Sequence, residues 1–308
     1  MKGRSILQYL MLSFRGVAMG AADVVPGVSG GTIAFITGIY EELIESLNNI
    51  NLGAAKVLIK DGIKAFWKHI NGTFFLFLFG GIIVSIALLA NVVGHLLETQ
   101  PVILWSFFFG LIIASVWLIG KSIKEWNAGV IVSLLIGTGV AFYISTIHTV
   151  AQGSESWYIV FSGAIAICAM ILPGVSGSFI LVLLGTYSVV LDAIKDRDFM
   201  IIGLFAIGCL IGLMSFARLL KFLFSKFKEI TIALLTGFMI GSLYKVWPWK
   251  NAFGEAIVTH SDGKKDFMMA NVLPDHFTGD AQPGLAIASA VVGLAVIVIL
   301  DRFAPKEL

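Results

Sequence analysis

Apolar residues along the chain gather into ten segments, at about 6–25, 27–47, 73–97, 102–120, 128–147, 157–172, 174–194, 199–224, 230–247 and 284–301. Most of the later ones approach or exceed the roughly 20 residues that a helix needs to cross a bilayer. The first two segments, and likewise the sixth and seventh, behave differently. Each of these pairs is one apolar stretch interrupted at its centre by proline and glycine. The interruptions read Pro26-Gly27-Val28-Ser29-Gly30-Gly31 and Pro173-Gly174-Val175-Ser176-Gly177-Ser178. Proline removes an amide donor and glycine relaxes the backbone, so a helix breaks there. A break at membrane depth survives only where protein or a water-filled cavity surrounds it. The pattern predicts two hairpins of half-helices, at about 6–47 and 157–194, among ordinary spans.

Charge sets the direction of the chain. Cationic loops stay in the cytoplasm, and Lys2, Arg4 and Arg15 precede the first break while Lys56, Lys60, Lys64 and Lys68 follow its hairpin. Both ends of that hairpin are therefore expected inside, which makes it re-entrant. Spans 73–97, 102–120 and 128–147 then alternate and put Lys121 and Lys124 inside. The second hairpin enters and leaves from outside. Spans 199–224, 230–247 and 284–301 follow, with Arg218, Lys221, Lys226, Lys228, Arg302 and Lys306 inside. Most of the 21 lysines and arginines fall on one side in this register.

A hairpin plus three spans is an odd number of crossings, so the halves 1–150 and 151–308 are expected to be inverted repeats. Gly38 and Tyr40 match Gly185 and Tyr187 at the same spacing as the two breaks. Gly110 to Ser115 likewise resembles Gly237 to Ser242. The expected fold is an all-α polytopic membrane protein with both termini cytoplasmic. Composition agrees: 58% of the 308 residues are apolar and 13% are charged, and the mean hydropathy is +0.94. A soluble chain of this size needs more polar surface. A net charge of +2 makes no case for nucleic acid. Cys168 and Cys209 lie inside apolar runs and read as reduced packing residues. The basic, apolar N-terminus has no small-residue cleavage site and is expected to remain on the protein. Residues 52–68 alternate lysines with Leu58, Ile59, Ile63 and Phe66. They form either an interfacial helix on anionic lipid or a helix packed on the spans. The polar stretch 248–283 is expected to be external.

The chemistry sits at the breaks. The first amides of a half-helix lack intrahelical acceptors and, with the positive end of the dipole, favour an anion. Ser29, Gly30, Gly31 and Thr32, and their counterparts Ser176, Gly177 and Ser178, are the candidate binders of a phosphate or carboxylate. The serines could equally be helix caps. Arg15 and Arg218 are candidate phosphate ligands or snorkelling arginines. Asp23, three residues before Pro26, has Met170 as its counterpart, and Glu41 has Ser188. An intramembrane carboxylate is costly, so Asp23 and Glu41 are candidates for coupling H+ or Na+; a cap and interfacial solvation are the alternatives. Gly27-Val28-Ser29-Gly30 also matches the GxSG form around the nucleophile of intramembrane serine proteases. A serine nucleophile needs a base within reach, and His69, His95, His148, His260 and His276 fall near segment ends or in a loop. They show no metal-ligand spacing. No cofactor is indicated.

Arg15 through Leu43, with Asp23-Val24-Val25-Pro26-Gly27-Val28-Ser29-Gly30-Gly31-Thr32 and Gly38-Ile39-Tyr40-Glu41, resembles a bacterial and archaeal membrane family of PopT-type polyprenyl-phosphate transporters. Leu172 to Ser178 resembles its second signature, and the resemblance covers essentially the whole chain. It implies a flippase that returns undecaprenyl phosphate from the outer to the inner leaflet of the bacterial plasma membrane, recycling the carrier lipid for cell-wall synthesis. It implies no enzymatic activity. The residues alone specify an anion site at membrane depth and leave open a channel or carrier for a soluble anion. A lipid substrate would need a lateral groove, for which Phe74, Phe75, Phe77, Phe79, Phe107, Phe108 and Phe109 are candidates.

Overall fold

The computed structural model describes residues 4–23, 29–146, 155–259 and 265–303. Pro26, Gly27 and the expected repeat boundary near residue 150 lie outside the described residues. The first half contains α1 (Ile6–Asp23), α2 (Gly30–Ile36), α3 (Tyr40–Asn48), α4 (Leu52–His69), α5 (Gly72–Thr99), α6 (Pro101–Gly120) and α7 (Ala128–Thr146). The second contains α8 (Ser156–Ile171), α9 (Gly177–Leu183), α10 (Tyr187–Asp196), α11 (Phe199–Lys226), α12 (Lys228–Ser242), strands β1 (Lys250–Thr259) and β2 (Lys265–Asn271), and α13 (Pro283–Phe303).

Among the described residues, α5, α6, α7 and α11 are each long and apolar enough to cross a membrane, and the bent pair α9–α10 makes a fifth candidate. The expected span 230–247 is shorter than its apolar run. Helix α12 has 15 residues, about 22 Å at 1.5 Å per residue, and it stops where the Ser242 hydroxyl turns back onto the Met239 carbonyl.

The outgoing limb of each hairpin is two short helices. Gly38 takes φ 73° between α2 and α3, and Gly185 takes φ 66° between α9 and α10. Only glycine adopts that backbone without strain. Helices α9 and α10 meet there at a bend of 107°. The matched Gly38-Ile39-Tyr40 and Gly185-Thr186-Tyr187 are thus a second break in each hairpin, which the apolar pattern hid because both sides of it are hydrophobic.

Glycines set four close helix crossings. On α1 and α5, Gly16 and Gly81 lie directly against the Leu78 and Ser13 carbonyls. On α8 and α11, Gly163 and Gly208 lie against those of Phe205 and Val160. In the other set, Gly110 of α6 meets Ala290 while Gly293 of α13 meets Phe107. Gly137 of α7 meets Leu234 while Gly237 of α12 meets Leu134. A Cβ at any of these would collide with backbone, so small residues let the helices approach, as membrane packing requires. Numbers rise together along both members of every pair, so the partners run parallel. Helix α7 thus packs along α12, and α13 along α6, so helices early in the chain pair with helices late in it. The thiols of Cys168 and Cys209 donate across the α8–α11 seam to the Gly212 and Gly163 carbonyls, in keeping with reduced packing residues.

The ends of the elements are pinned by polar contacts. Arg4 grips Glu42 through both guanidinium nitrogens, with Nη1–Oε1 at 2.6 Å. Asn71 donates to Glu42 and to the Ser46 hydroxyl. The start of α1 and the end of its hairpin therefore lie together, beside the start of α5. In the other hairpin the Tyr158 hydroxyl donates to the Leu184 carbonyl at 2.9 Å, tying the start of α8 to the end of α9.

Two expectations change. Stretch 248–283 contains an antiparallel two-stranded sheet, pairing Lys250 with Asn271 through to Thr259 with Lys265, so the fold is not wholly helical. Its residues Phe253, Ile257, Val258 and Phe267 favour strands. The indoles of Trp247 and Trp249 fasten this cap by donating to the Val272 and Ala281 carbonyls. Helix α4 is kinked at Gly62, which takes φ 82°. Its Leu58, Ile59, Ile63 and Trp67 are exposed rather than packed on the spans.

Candidate functional site

The two breaks touch. Ser29 stands in extended backbone as the cap of α2. Its hydroxyl accepts from Gly31 N at 3.1 Å and donates to the Met170 carbonyl at 3.0 Å. One turn on, Thr32 Oγ1 accepts from Gly174 N at 2.9 Å. Gly31 presses on the Met170 and Ile171 carbonyls at the end of α8, where a Cβ would collide with both. Ser29 and Thr32 are buried to 1% and 0% exposure. The first motif thus sits on the end of α8 and satisfies the backbone that Pro173 and Gly174 leave irregular. Gly174, at φ 84°, also abuts the Phe238 carbonyl and the Ser242 hydroxyl of α12.

The two helix starts differ. Asp23 Oδ1 accepts from Gly30 N at 2.6 Å, and Ser29 takes Gly31 N. The first two amides of α2 are therefore filled by the chain's own acceptors, with a carboxylate where the dipole favours negative charge. At α9, Ser176 makes no side-chain cap; its hydroxyl lies 2.9 Å from that of Ser178. Met170 stands there in place of Asp23, so the corresponding position offers the α9 amides no carboxylate. Both helices have seven residues, so their dipoles are small and local hydrogen-bond donors matter more than the macrodipole.

None of the other predicted residues makes a described contact with the breaks. Arg15 is half-buried on α1 and within electrostatic range of Arg4 and Glu42, towards the pinned end of its hairpin. Arg218 is exposed on α11. Glu41 pairs with Lys228 at 2.7 Å where α3 and α12 begin, and both side chains are about half exposed. That pairing suits an interfacial ion pair. Among the described residues, no group of three or more histidine, cysteine or carboxylate side chains is placed to hold a metal ion.

The cation that does stand beside a break had no signal in the apolar pattern. Lys245, in the turn after α12, places Nζ 3.9 Å from the centroid of Phe179, the third residue of α9. Lys250, at the start of β1, donates to the Lys245 carbonyl and places Nζ 4.0 Å from the Trp105 centroid. The same turn walls a cavity of about 660 Å³, lined by Phe109, Leu135, Phe142, Ile240, Tyr244 and Trp247 among others. Of the phenylalanines expected in a groove only Phe109 lines it. Phe74, Phe75 and Phe108 are buried in the core.

These features define a class: a polytopic helical membrane protein whose polar centre is a junction of broken helices, with an apolar groove alongside. The serine-protease pattern finds no support, because the Ser29 hydroxyl is committed to two backbone groups. The comparison with known families is specific. Residues 19–265 match the undecaprenyl phosphate translocase-like family, and the chain belongs to it. It is 43% identical over 305 residues to a polyprenyl-phosphate transporter of Vibrio cholerae, covering 97% of this chain and 98% of that one. It is 31% identical over 253 residues to a polyprenyl-phosphate transporter of Staphylococcus aureus, covering 76% and 84%. Family and relatives are transporters, not enzymes. No solved structure matches.

Proposed function

We propose that this protein is a flippase that returns undecaprenyl phosphate from the outer to the inner leaflet of the bacterial plasma membrane, with both termini in the cytoplasm. The observation that carries the reading is the contact of the two breaks, Ser29 with Met170 and Thr32 with Gly174. It is a polar, amide-rich junction surrounded by apolar helices. The names of the relatives supply the polyprenyl phosphate.

The phosphate is bound at this junction by Ser29, Gly30, Gly31 and Thr32 on one side and Ser176, Gly177 and Ser178 on the other. Of the two helix starts at the junction, that of α9 is the more open to the phosphate, since Asp23 already fills Gly30 N. Asp23 is the coupling group. Protonated, it loses the charge that repels phosphate and holds Gly30 N only through a weaker, neutral acceptor; deprotonated, it grips the amide again and helps expel the phosphate. Arg15, near Glu42, attracts the headgroup on the inner side.

The two halves are inverted repeats that rock about the junction. Parallel pairing supports this: α1 with α5 runs from the Arg4–Glu42 end, whereas α8 with α11 runs towards the end where Lys228 meets Glu41. The groove beside Phe109 and Trp247 holds the first isoprene units while the rest of the tail stays in lipid. Helix α4 lies on the anionic inner surface, with Lys56, Lys60, Lys64 and Lys68 towards headgroups and Ile59 and Ile63 towards chains.

Proteoliposomes carrying undecaprenyl phosphate in one leaflet test the reading. Wild-type protein is expected to equilibrate the lipid and to pass neither chloride nor inorganic phosphate. Free-anion flux without lipid movement would overturn it.

A further inference from the structure

We propose that Lys245 and Lys250 form a paired-cation capture site, at the end of the molecule opposite the Lys228–Glu41 pair, that selects a phosphate monoester headgroup over phosphodiester lipids by charge. The proposal rests on the functional reading above and adds to it where the headgroup first binds and how it is told apart from bulk lipid.

Geometry supplies the argument. The two side chains belong to one short segment, and the Lys250 ammonium is bonded to the Lys245 backbone carbonyl. The partners of these ammonium groups are that carbonyl and the faces of Phe179 and Trp105. Among the described residues, neither ammonium makes an ion pair with a carboxylate. Asp275 is engaged by His276, Asp280 by Gln282 and Glu155 by Trp157. Arg4 is paired with Glu42 and Lys228 with Glu41, whereas Lys121, like these two lysines, lies over an aromatic face, that of Trp117. Aromatic faces hold an ammonium in place with weak attraction and leave its donors free for a stronger, charge-assisted bond to phosphate.

Two positive charges held together without a counter-ion repel, and burial makes the repulsion larger. A ligand of charge near −2 relieves it and one of charge −1 relieves half. A phosphate monoester carries about −1.5 to −2 at pH 7; a phosphodiester headgroup carries a single negative charge on its phosphate. Burial first, and the neighbouring Lys245 charge second, lower the Lys250 pKa from 10.5 to about 7. The pair is therefore most cationic when an anion is present. Phe179 leads directly to the α9 start, since it follows Gly177 and Ser178 in the chain. Residues of the same turn, Leu243, Tyr244 and Trp247, wall the apolar groove. Headgroup and tail can thus engage one segment.

The test uses full-length protein in phosphatidylcholine nanodiscs, titrated with undecaprenyl phosphate or phosphatidylglycerol and read by native mass spectrometry. Wild type is expected to prefer the monoester, the Lys245→Gln/Lys250→Gln variant to lose at least about tenfold of that preference, and Lys245→Arg/Lys250→Arg to keep most of it. A double glutamine variant with the wild-type preference overturns the capture site while leaving the functional reading intact. Wild-type protein that shows no preference overturns both. Acylation of Lys250 by a water-soluble amine reagent, measured on wild-type protein, needs no variant to fold. Undecaprenyl phosphate should slow it about fivefold or more by burying the ammonium, and phosphatidylglycerol should not; equal rates overturn the proposal.

Discussion

Replacing Gly31 with alanine probes the contact between the breaks with one methyl group. The added Cβ would lie 3.0 Å from the Met170 carbonyl oxygen and nearer still to that of Ile171, where ordinary contact begins at 3.4 Å. Both obstacles are backbone, so neither can swing away; the start of α2 and the end of α8 must part. A parting on the order of 1 Å costs about 1–3 kcal/mol as overpacking. It also stretches the Ser29–Met170 and Thr32–Gly174 bonds, now 3.0 and 2.9 Å, each contributing about 0.5–1.5 kcal/mol. Alanine returns about 1 kcal/mol as the better helix former. The net loss is about 1–5 kcal/mol. Gly94→Ala is the control, because nothing lies within 4 Å of its new methyl. Thermal unfolding in detergent and lipid movement in proteoliposomes are the assays. Gly31→Ala is expected to unfold at a lower temperature and to transport at least tenfold more slowly, with Gly94→Ala like wild type. Wild-type stability and transport in Gly31→Ala would refute the claim that the breaks work in contact.

Four further outcomes follow from the geometry. Asp23→Asn keeps an acceptor for Gly30 N and is expected to fold, but to lose any dependence of transport on a proton gradient; unchanged dependence excludes Asp23 as the coupling group. The Tyr40 hydroxyl is buried with no hydrogen-bond partner among the described residues, so Tyr40→Phe should be neutral or stabilising by up to about 1 kcal/mol, and a loss of transport in a well-folded variant would instead mark the phenol as a ligand. Arg218→Ala should leave transport within about twofold, because Arg218 is exposed and its neighbour Ala217 packs against Asn48 at the end of α3. For Lys250 the folded pKa, about 7, lies below its value in the unfolded chain, about 10.4. The unfolded state then binds more protons between those values, so this residue's contribution makes ligand-free stability rise with pH across that window. Comparing wild type with Lys250→Gln from pH 7 to 10 checks the slope, and undecaprenyl phosphate binding should weaken as pH rises through about 7.

The apolar pattern located the helices well because burial in lipid leaves an almost continuous signal. The repeated Pro-Gly motif located the breaks because few other residues can serve there. Glu41 was readable as a coupling group or as an interfacial carboxylate, and its described contact is an ion pair with Lys228 at 2.7 Å. Three things were not legible. The second breaks at Gly38 and Gly185 lie in unbroken hydrophobic sequence, and only the matched Gly-x-Tyr hinted at them. The β1–β2 cap lies in a polar loop whose strand formers are sparse. Lys245 and Lys250 look like ordinary external lysines until folding sets them over Phe179 and Trp105. Arg15 and Arg218 drew attention as candidate phosphate ligands or snorkelling arginines; Arg15 lies within electrostatic range of Arg4 and Glu42, and Arg218 is exposed on α11. Asp23 was readable as a cap or as a coupling group, and its bond to Gly30 N supplies the cap.

The most direct measurement is leaflet-to-leaflet movement of undecaprenyl phosphate in proteoliposomes containing wild-type protein or Thr32→Val, which removes the oxygen that accepts from Gly174 N and keeps the side-chain shape. The account predicts rapid equilibration by wild type and at least tenfold slower movement by a folded Thr32→Val. Equal rates for the two, or no movement above empty liposomes with wild type, would contradict it.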